Sequence, residues 1–213
     1  MNDNRNYHYS ISSKTVREEY SVIVNWVKTG SHVIDMGCGD GSLLRLLNDV
    51  KNVTGVGIDS SESAITAARK KGVSAQVGKI DTRLPFKDKH FDYAICNVTL
   101  QMVMYPETLL YEMMRISKRQ IISFPNFAFI LNRLELLTRG RMPKRMLGGY
   151  QWYSTGHAHQ LSIADFIQYC QDQNIKIVRR YFIYPRPLTS LSACIPYLFA
   201  NLFSTLAIFQ AGN

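Results

Sequence analysis

The part of the sequence best suited to holding a small ligand is a glycine-rich turn. The segment HVIDMGCGDGSLLRLL, residues 32–47, joins an apolar run to a helical pattern, and the turn between them carries Gly37, Gly39 and Gly41. Glycine lets the backbone adopt positive φ and come close to a ligand. The helix that follows presents unpaired N–H groups and the positive end of its dipole. The pattern therefore predicts a binding turn for a nucleotide-like molecule.

Three carboxylates distinguish between the ligands that such a turn can hold. Nicotinamide enzymes use G-x-G-x-x-G, whereas this chain has G-x-G-x-G with Asp35 just before the first glycine. A pyrophosphate would be repelled by Asp35 and by the nearby Asp40, but an ammonium group would be attracted. Asp59 ends the next apolar run, where it can accept hydrogen bonds from ribose hydroxyls. A ribose partner beside a site for an amino group indicates S-adenosylmethionine.

Two strings in this region, VIDMGCGDGSLL and GVGIDSS, resemble the first two motifs of class I S-adenosylmethionine-dependent methyltransferases. The resemblance implies that the three glycines lie beneath the methionine moiety, that Asp35 holds its amino group and that Asp59 holds the ribose. Cys38 and Ser60 belong to the same two motifs and are expected to bind the cofactor, as S-adenosylmethionine or S-adenosylhomocysteine. A structural turn with incidental acids is the alternative.

The next two motifs of that superfamily match less closely. In GKIDTRLPF, Lys79 stands where the superfamily carries an acid near the adenine amine, and Asp81 is the nearest replacement. Ile80 is a candidate neighbour of the adenine, with core packing as the equal alternative. FDYAICNVTLQMV resembles the fourth strand and the loop that faces the sulfonium, which makes Asn97 a pocket residue or simply a turn residue.

A longer series of strings is similar to the methionine biosynthesis protein MetW family. It comprises TLQ at 99–101, SFPNF at 123–127, GRMP at 140–143, YQWY at 150–153, then His159 and Asp165-Phe166. The resemblance implies a link to methionine biosynthesis at the acylation of homoserine, with a homoserine O-acyltransferase as partner. Lys79 departs from this family as well.

These residues need a sheet that brings strand ends together, and the apolar periodicity predicts one. Strands are expected at His32–Asp35, Val53–Asp59, Val73–Val77, Phe91–Asn97, Gln120–Phe124, Ile175–Tyr184 and near Leu202–Phe209. Helices are expected at 14–29, Ser42–Val50, Ser61–Lys71, Pro106–Ser117, within 126–140 and at Ser162–Gln173. The alternation predicts a doubly wound, Rossmann-like α/β fold of the class I methyltransferase type, with an antiparallel C-terminal strand pair. Residues 1–213 are expected to form a single domain with an insertion or cap at about 126–159.

Catalytic residues are harder to assign, because methyl transfer depends mainly on proximity and alignment. His159, His157 and Tyr153 are weak candidates for a general base, and a structural role in an aromatic loop is the alternative. Three functions stay open: a small-molecule methyltransferase, a non-catalytic ligand-sensing partner of homoserine O-acyltransferase, and a methyltransferase of RNA or another macromolecule. The net charge of +9 motivates the third, but the cations are widely spread except at Arg133–Arg145, and nucleic-acid binding is not favoured. The basic and aromatic insertion at 126–159 is expected either to cap the substrate pocket or to dock the partner.

Composition excludes several classes of protein. The four cysteines are far apart, so no metal site is expected. The polar N-terminus lacks the apolar core of a signal peptide. The uncharged stretch after Pro187 is interrupted by Pro196 and Asn201, which favours a buried edge strand and loop over a membrane span. A cytoplasmic, soluble protein is expected.

Overall fold

A computed structural model describes residues 17–144, 156–186 and 199–212, which build a seven-stranded sheet and its helices. The strands are β1 (His32–Met36), β2 (Thr54–Asp59), β3 (Ala75–Val77), β4 (Phe91–Asn97), β5 (Ser117–Pro125), β6 (Ile177–Ile183) and β7 (Leu206–Gly212). The helices are α1 (Glu18–Trp26), α2 (Ser42–Lys51), α3 (Glu62–Lys70), α4 (Pro106–Ile116), α5 (Ile130–Arg139), α6 (Ile163–Asp172) and α7 (Ala200–Phe203). A 3-10 turn at Leu100–Met102 follows β4.

The strand order is β3-β2-β1-β4-β5-β7-β6. The first five strands are parallel, and β7 runs antiparallel to both β5 and β6. This confirms the predicted doubly wound sheet with an antiparallel C-terminal pair. The chain moves outward from β1 to β3 and then returns to place β4 on the other side of β1. The carboxyl ends of β1 and β4 therefore flank the switch point, where ligands bind in such sheets.

The middle of the sheet explains why its strands read as continuous apolar runs. Val33, Ile34 and Met36 of β1 are fully buried, because helices cover both faces of a parallel sheet. Asp35 is the exception: its side chain is 2% exposed between apolar neighbours. Burying a carboxylate costs free energy unless a partner compensates, so this position points to a function.

Two apolar cores lie on the two faces of the sheet. One packs α1, α2 and α3 onto the sheet through residues such as Ile23, Leu43 and Leu47. The other packs α4 and α6 through residues such as Leu109 and Phe166. In each helix the buried residues recur at helical spacing, which is the pattern that predicted the helices.

The C-terminal prediction is wrong in two respects. Leu202 lies in the short helix α7, and β7 begins only at Leu206, after Ser204 has ended the helix by donating its hydroxyl to the Ala200 carbonyl at 2.7 Å. The last strand is also not an edge strand, because β7 pairs with β5 on one side and β6 on the other. Its lack of charge follows from that interior position.

The other predicted elements are confirmed, with shifted ends. The fifth strand begins at Ser117 rather than at Gln120, and α1 ends at Trp26, short of Gly30. The third strand is shortened to Ala75–Val77. Predictions for residues 145–155 and 187–198, including Tyr153, lie outside the described residues.

Candidate ligand site at the carboxyl edge of the sheet

The glycine turn between β1 and α2 is held against the end of β2. The N–H groups of Gly37 and Cys38 donate to the Ile58 carbonyl at 2.8 and 3.1 Å. The φ angles of Gly37, Gly39 and Gly41 are 82°, 54° and 70°. Three positive φ angles in five residues form a backbone that glycine adopts without strain. The turn is thus a tightly wound loop whose shape requires the alternating glycines.

Neighbouring side chains are a second reason why two of these positions require glycine. A Cβ at Gly37 would lie 2.6 Å from Thr99 Oγ1, and a Cβ at Gly41 would lie 3.0 Å from the Ala68 Cβ. Thr99 belongs to the loop after β4, so Gly37 lets that loop close onto the turn. Gly41 lets α3 pack against the start of α2. The spacing that indicated a ligand also serves the packing of the protein.

Asp35 is a buried acid at this edge of the sheet. It is buried, and its Oδ1 atom has no hydrogen-bond partner. Burial and the nearby Asp59 carboxylate raise the pKa of Asp35 to about 7. A group that brings positive charge and N–H donors would supply what this carboxylate lacks. The amino group of an amino acid has that chemistry.

Asp59 is fixed by the backbone of both neighbouring turns. Its Oδ2 accepts from the Gly39 N–H at 2.9 Å, and its Oδ1 accepts from the Ser61 N–H at 2.9 Å. Each carboxylate oxygen has a further acceptor position, so Asp59 can still bind two hydroxyls. Ser60, between these turns, is exposed at the same edge. The carboxylate is therefore oriented before any ligand arrives.

Cys38 contributes through its backbone and its packing. The side chain is 8% exposed and fills the space that a Cβ at Gly57 would occupy, 2.5 Å from Sγ. Burial, together with Asp35, raises the pKa of the Cys38 thiol well above its ordinary value. The thiol is thus neutral, and it donates to the Gly39 carbonyl oxygen of the turn at 3.6 Å.

Lys71 neutralises the second acid of the glycine turn. Its ammonium group contacts the Asp40 carboxylate and donates to Ser42 Oγ at 2.7 Å. Burial tends to raise the pKa of Asp40, but the hydrogen bonds from Lys71 and Ser42 outweigh it and hold that pKa below its usual range. The electrostatic argument against a pyrophosphate therefore rests on Asp35 rather than on Asp40. The partners are 31 positions apart in the sequence, so sequence analysis does not reveal this pair.

The segment after β3 contributes a buried apolar side chain and a carboxylate that connects two loops. Ile80 is buried in the apolar core together with Ile58, and Lys79 is exposed. Asp81 Oδ2 accepts from the N–H groups of Met104 and Tyr105 at 3.1 and 3.2 Å. Asp81 thus ties the loop after β3 to the loop after β4, and one of its oxygens is already engaged there.

The loop after β4 begins with a strained residue. Val98 has a φ of 53°, which is rare for a β-branched residue, and its N–H donates to the carbonyl and hydroxyl of Ser123 at 3.0 Å each. Asn97 Oδ1 accepts from Ser123 Oγ at 2.6 Å. Gln101 donates to the Val98 carbonyl, which leaves its buried Oε1 without a partner. Ser123 of β5 thus fixes the Val98 N–H and the Asn97 side chain at the start of this loop.

The segment that carries His157 and His159 lies across the loop after β4. The N–H groups of Ala158 and His159 donate to the Gln101 carbonyl at 2.9 and 3.1 Å. His159 Nε2 lies 3.3 Å from the Met104 carbonyl oxygen. His157, two residues earlier, is half-buried. His159 is thereby placed on the β4 side of the edge, facing the segment that Asp81 also holds.

A buried ion pair, which sequence reasoning missed, anchors the loop between β3 and β4. Arg115 forms two hydrogen bonds with Glu112, at 2.8 and 2.6 Å. Its remaining N–H groups donate to the carbonyls of Leu84 and Phe86 and to Asp88, while Glu112 accepts from the Leu84 N–H at 2.9 Å. In the sequence, Glu112 and Arg115 read as an ordinary surface pair at i and i+3. The loop carbonyls that they bind give no sequence signal.

Comparison with known proteins places the chain in a family. The profile of the Methionine biosynthesis protein MetW matches residues 17–211. The chain belongs to the MetW family. It is 32% identical over 181 residues to a bifunctional methionine biosynthesis protein MetXA/MetW from Rhodopirellula baltica, covering 80% of this chain and 29% of that relative.

A shorter match joins the chain to a trans-aconitate 2-methyltransferase from Mycolicibacterium gilvum. The two are 39% identical over 82 residues, covering 37% of this chain and 31% of the relative. The chain therefore spans only about 30% of the length of these curated relatives.

Solved structures support the fold. The magnesium protoporphyrin IX methyltransferase from Synechocystis PCC 6803, with S-adenosylhomocysteine bound, superposes with a TM-score of 0.64 at 20% identity, covering 91% of this chain and 81% of that one. An S-adenosylmethionine-dependent methyltransferase from Mesorhizobium loti gives 0.64 at 15% identity, covering 92% and 97%. These likenesses establish a class I methyltransferase fold.

Within residues 17–144, 156–186 and 199–212, no helix is long and apolar enough to cross a membrane. In the same ranges, no cluster of three His, Cys, Asp or Glu side chains is arranged to hold a metal.

Proposed function

We propose that this MetW family member binds S-adenosylmethionine or S-adenosylhomocysteine at the glycine turn. The observation that carries the proposal is the buried Asp35 carboxylate, whose Oδ1 lacks a partner and whose pKa is raised to about 7. An ammonium group beside Asp35 would satisfy that oxygen and favour the ionised carboxylate. The amino group of the methionine moiety is the natural occupant.

The other proposed cofactor contacts come from residues at the same carboxyl edge of the sheet. Asp59, already oriented by Gly39 and Ser61, would accept from the ribose hydroxyls, with Ser60 beside it. Ile80 and Asp81 would border the adenine, and Asn97 would border the sulfonium. The exposed Lys79 leaves Asp81 as the acid nearest the adenine amine.

Methyl transfer to a small molecule is the first candidate activity. S-adenosylmethionine supplies an activated methyl group, so the protein has to position an acceptor and remove its proton where necessary. His159 is the described side chain best placed for that task, because two backbone hydrogen bonds fix its segment to the Gln101 carbonyl. His157 and Tyr153 are the other candidates from the sequence.

A second candidate is favoured by the Rhodopirellula relative, in which MetXA and MetW share one polypeptide. In this alternative the chain is a non-catalytic partner of homoserine O-acyltransferase and responds to S-adenosylmethionine, a product derived from the pathway's end. Fusion raises the effective concentration of two units for each other, which is useful only when the units cooperate.

Calorimetric titration with S-adenosylmethionine and S-adenosylhomocysteine tests the binding proposal. Wild-type protein is expected to bind both, and Asp59→Ala is expected to lose most of the affinity. Asp49→Ala is the matched control, because it removes an exposed acid that pairs with Arg45 on α2. An unchanged affinity in Asp59→Ala, or equal losses in both variants, would overturn the proposed site.

A second experiment separates the two activities. Homoserine O-acyltransferase is assayed alone, with the chain, and with the chain plus S-adenosylmethionine. A change in acylation rate that requires the chain supports the partner role. Methyl transfer to a defined small acceptor, lost in His159→Ala with S-adenosylmethionine binding retained, supports the enzyme instead.

A further inference from the structure

Helix α5 exposes an apolar face, unlike the helices that cover the sheet. Leu131, Leu134 and Leu137 recur every third residue and are 41%, 44% and 81% exposed. Met142, just after the helix, is 43% exposed. Residues three apart lie on one side of a helix, so these leucines form a continuous stripe. Contiguous apolar surface of this kind marks an interaction site.

The helix is held firmly with that stripe outward. Asn126 precedes α5 by four residues, and its Nδ2 donates to the carbonyls of Asn201 and Ser204 at 3.0 and 2.9 Å. Asn132 is 1% exposed and donates to the Phe127 carbonyl at 3.1 Å. Asn132, the buried side chain of α5, therefore lies on the side of the helix that faces the protein, and the leucine stripe stays exposed.

Basic side chains border the apolar stripe. Arg139, Arg141 and Lys144 are exposed and, together with Glu135 and Met142, line an open groove at the end of α5. Within the described part of the chain none of the three cations forms a salt bridge. We name the leucine stripe, Met142 and these three cations the α5 surface.

We propose that the α5 surface docks homoserine O-acyltransferase, through an apolar patch on that enzyme bordered by Asp and Glu side chains. The proposal rests on the partnership proposed above. Charge complementarity supports this occupant, because three cations that form no salt bridge with other described residues lie beside an apolar stripe and favour a partner with carboxylates at its rim. The segment of the Rhodopirellula relative that matches this chain is 29% of that relative's length. The rest of that polypeptide is long enough to hold such a partner.

Two other occupants fit this surface less well. A second copy of the chain would bring cations against cations in a protein of net charge +9. A nucleic acid would pair with the cations but would leave the exposed Leu134 and Leu137 side chains without an apolar partner. The α5 surface also follows β5 directly, so the docked enzyme would lie beside the carboxyl edge that holds the ligand.

The test measures the affinity of purified homoserine O-acyltransferase for the full-length chain by biolayer interferometry. The variant Leu134→Glu/Leu137→Glu changes the apolar stripe, and Arg139→Glu/Arg141→Glu changes its rim. Val50→Glu with Lys28→Glu is the matched control, because Val50 is 56% exposed at the other end of α2 from the glycine turn and Lys28 is exposed nearby. Calorimetric binding of S-adenosylmethionine confirms that each variant is folded.

Both α5 variants are expected to weaken binding at least tenfold, with the control within twofold of wild type. Binding by wild type that neither α5 variant weakens would overturn the α5 surface while keeping the partnership. No binding by wild type would overturn the partnership itself, and the α5 assignment with it. Self-association that the leucine variant abolishes, or salt-sensitive RNA binding that the arginine variant abolishes, would assign the surface to another occupant.

Discussion

The two halves of the candidate ligand edge are built in different ways. In the β1–β2 half, backbone N–H groups of adjacent turns orient the carboxylate proposed to bind the ribose, as the Gly39 and Ser61 N–H groups do for Asp59. In the β4–β5 half, side chains far apart in sequence hold the loops, as Ser123 does for the Val98 N–H and Asp81 does for the Met104 N–H. A site fixed by local backbone can be read from a motif. A site fixed by distant side chains cannot.

The Arg115–Glu112 pair lies at the opposite edge of the sheet, where Phe91 and Ser117 begin β4 and β5, and its loss is expected to have the largest effect on stability. Arg115→Leu leaves Glu112 buried without its cation and removes three hydrogen bonds to the loop 84–88. The free energy of unfolding is expected to fall by about 3–5 kcal/mol, as when one partner of a buried pair is removed. Urea denaturation measures the change.

The exposed Lys118–Asp92 pair is the control for that experiment. Lys118 is 63% exposed, so Lys118→Ala is expected to cost less than about 1 kcal/mol. Similar losses in the two variants would show that Arg115 does not hold the loop.

Gly37 and Thr99 join the two halves, and a double-mutant cycle tests the junction. Gly37→Ala places a methyl group against Thr99 at a φ of 82° and is expected to cost about 1–3 kcal/mol of stability. In a Thr99→Gly background the clash is gone and only the backbone strain remains, so the same change is expected to cost less. Equal costs in both backgrounds would show that the two loops do not meet there.

Lys71 tests how far the β1–β2 half depends on a side-chain contact. Lys71→Met removes the cation beside Asp40 and is expected to cost about 0.5–1 kcal/mol at pH 7, because the pair is only partly buried. The lowered pKa of Asp40 stabilises the native state above the unfolded pKa of that group, and this stability is lost as the pH falls. The difference between wild type and variant is therefore expected to shrink on acidification from pH 7 to pH 3. A difference that stays constant with pH would show that Lys71 acts through packing.

Helix α5 gives the smallest expected effect on stability. Leu137 is 81% exposed, so Leu137→Ala is expected to change the free energy of unfolding by less than about 0.5 kcal/mol. Leu47→Ala, in the buried face of α2, is expected to cost about 2–5 kcal/mol. A large cost at Leu137 would show that the leucine stripe packs within the chain and is not an interaction surface.

Most of the fold was predictable, because helical and strand periodicities are local properties of the sequence. The exceptions have physical causes. The end of the chain was predicted as an edge strand, but its uncharged run reflects the position of β7 between β5 and β6. The start of β7 at Leu206 was missed, since α7 has the same apolar composition as the strand that follows it.

The candidate site was predictable where motifs carry it. Asp35, the glycine turn and Asp59 lie together at one edge, as the β1–β2 motifs require. The reasons for Gly37 and Gly41 include the packing of Thr99 and Ala68, which no local pattern encodes. Lys71 was missed because Asp40 lies 31 positions away, and the role of Arg115 was missed because the loop groups that it binds lie 27 to 31 positions away. Long-range contacts of this kind appear only once the chain is folded.

Proton release on S-adenosylmethionine binding tests the central claim about Asp35 most directly. With a pKa of about 7, the carboxyl of the free protein is about half protonated at pH 7, and binding of an ammonium group would ionise it. Titrations in buffers of different ionisation enthalpy are expected to show about half a proton more released by wild type than by Asp35→Asn. Wild-type affinity is expected to rise between about pH 6 and pH 8, centred on the pKa of Asp35, while that of the variant stays weak. Equal proton counts in the two proteins, with equal affinity, would contradict the account.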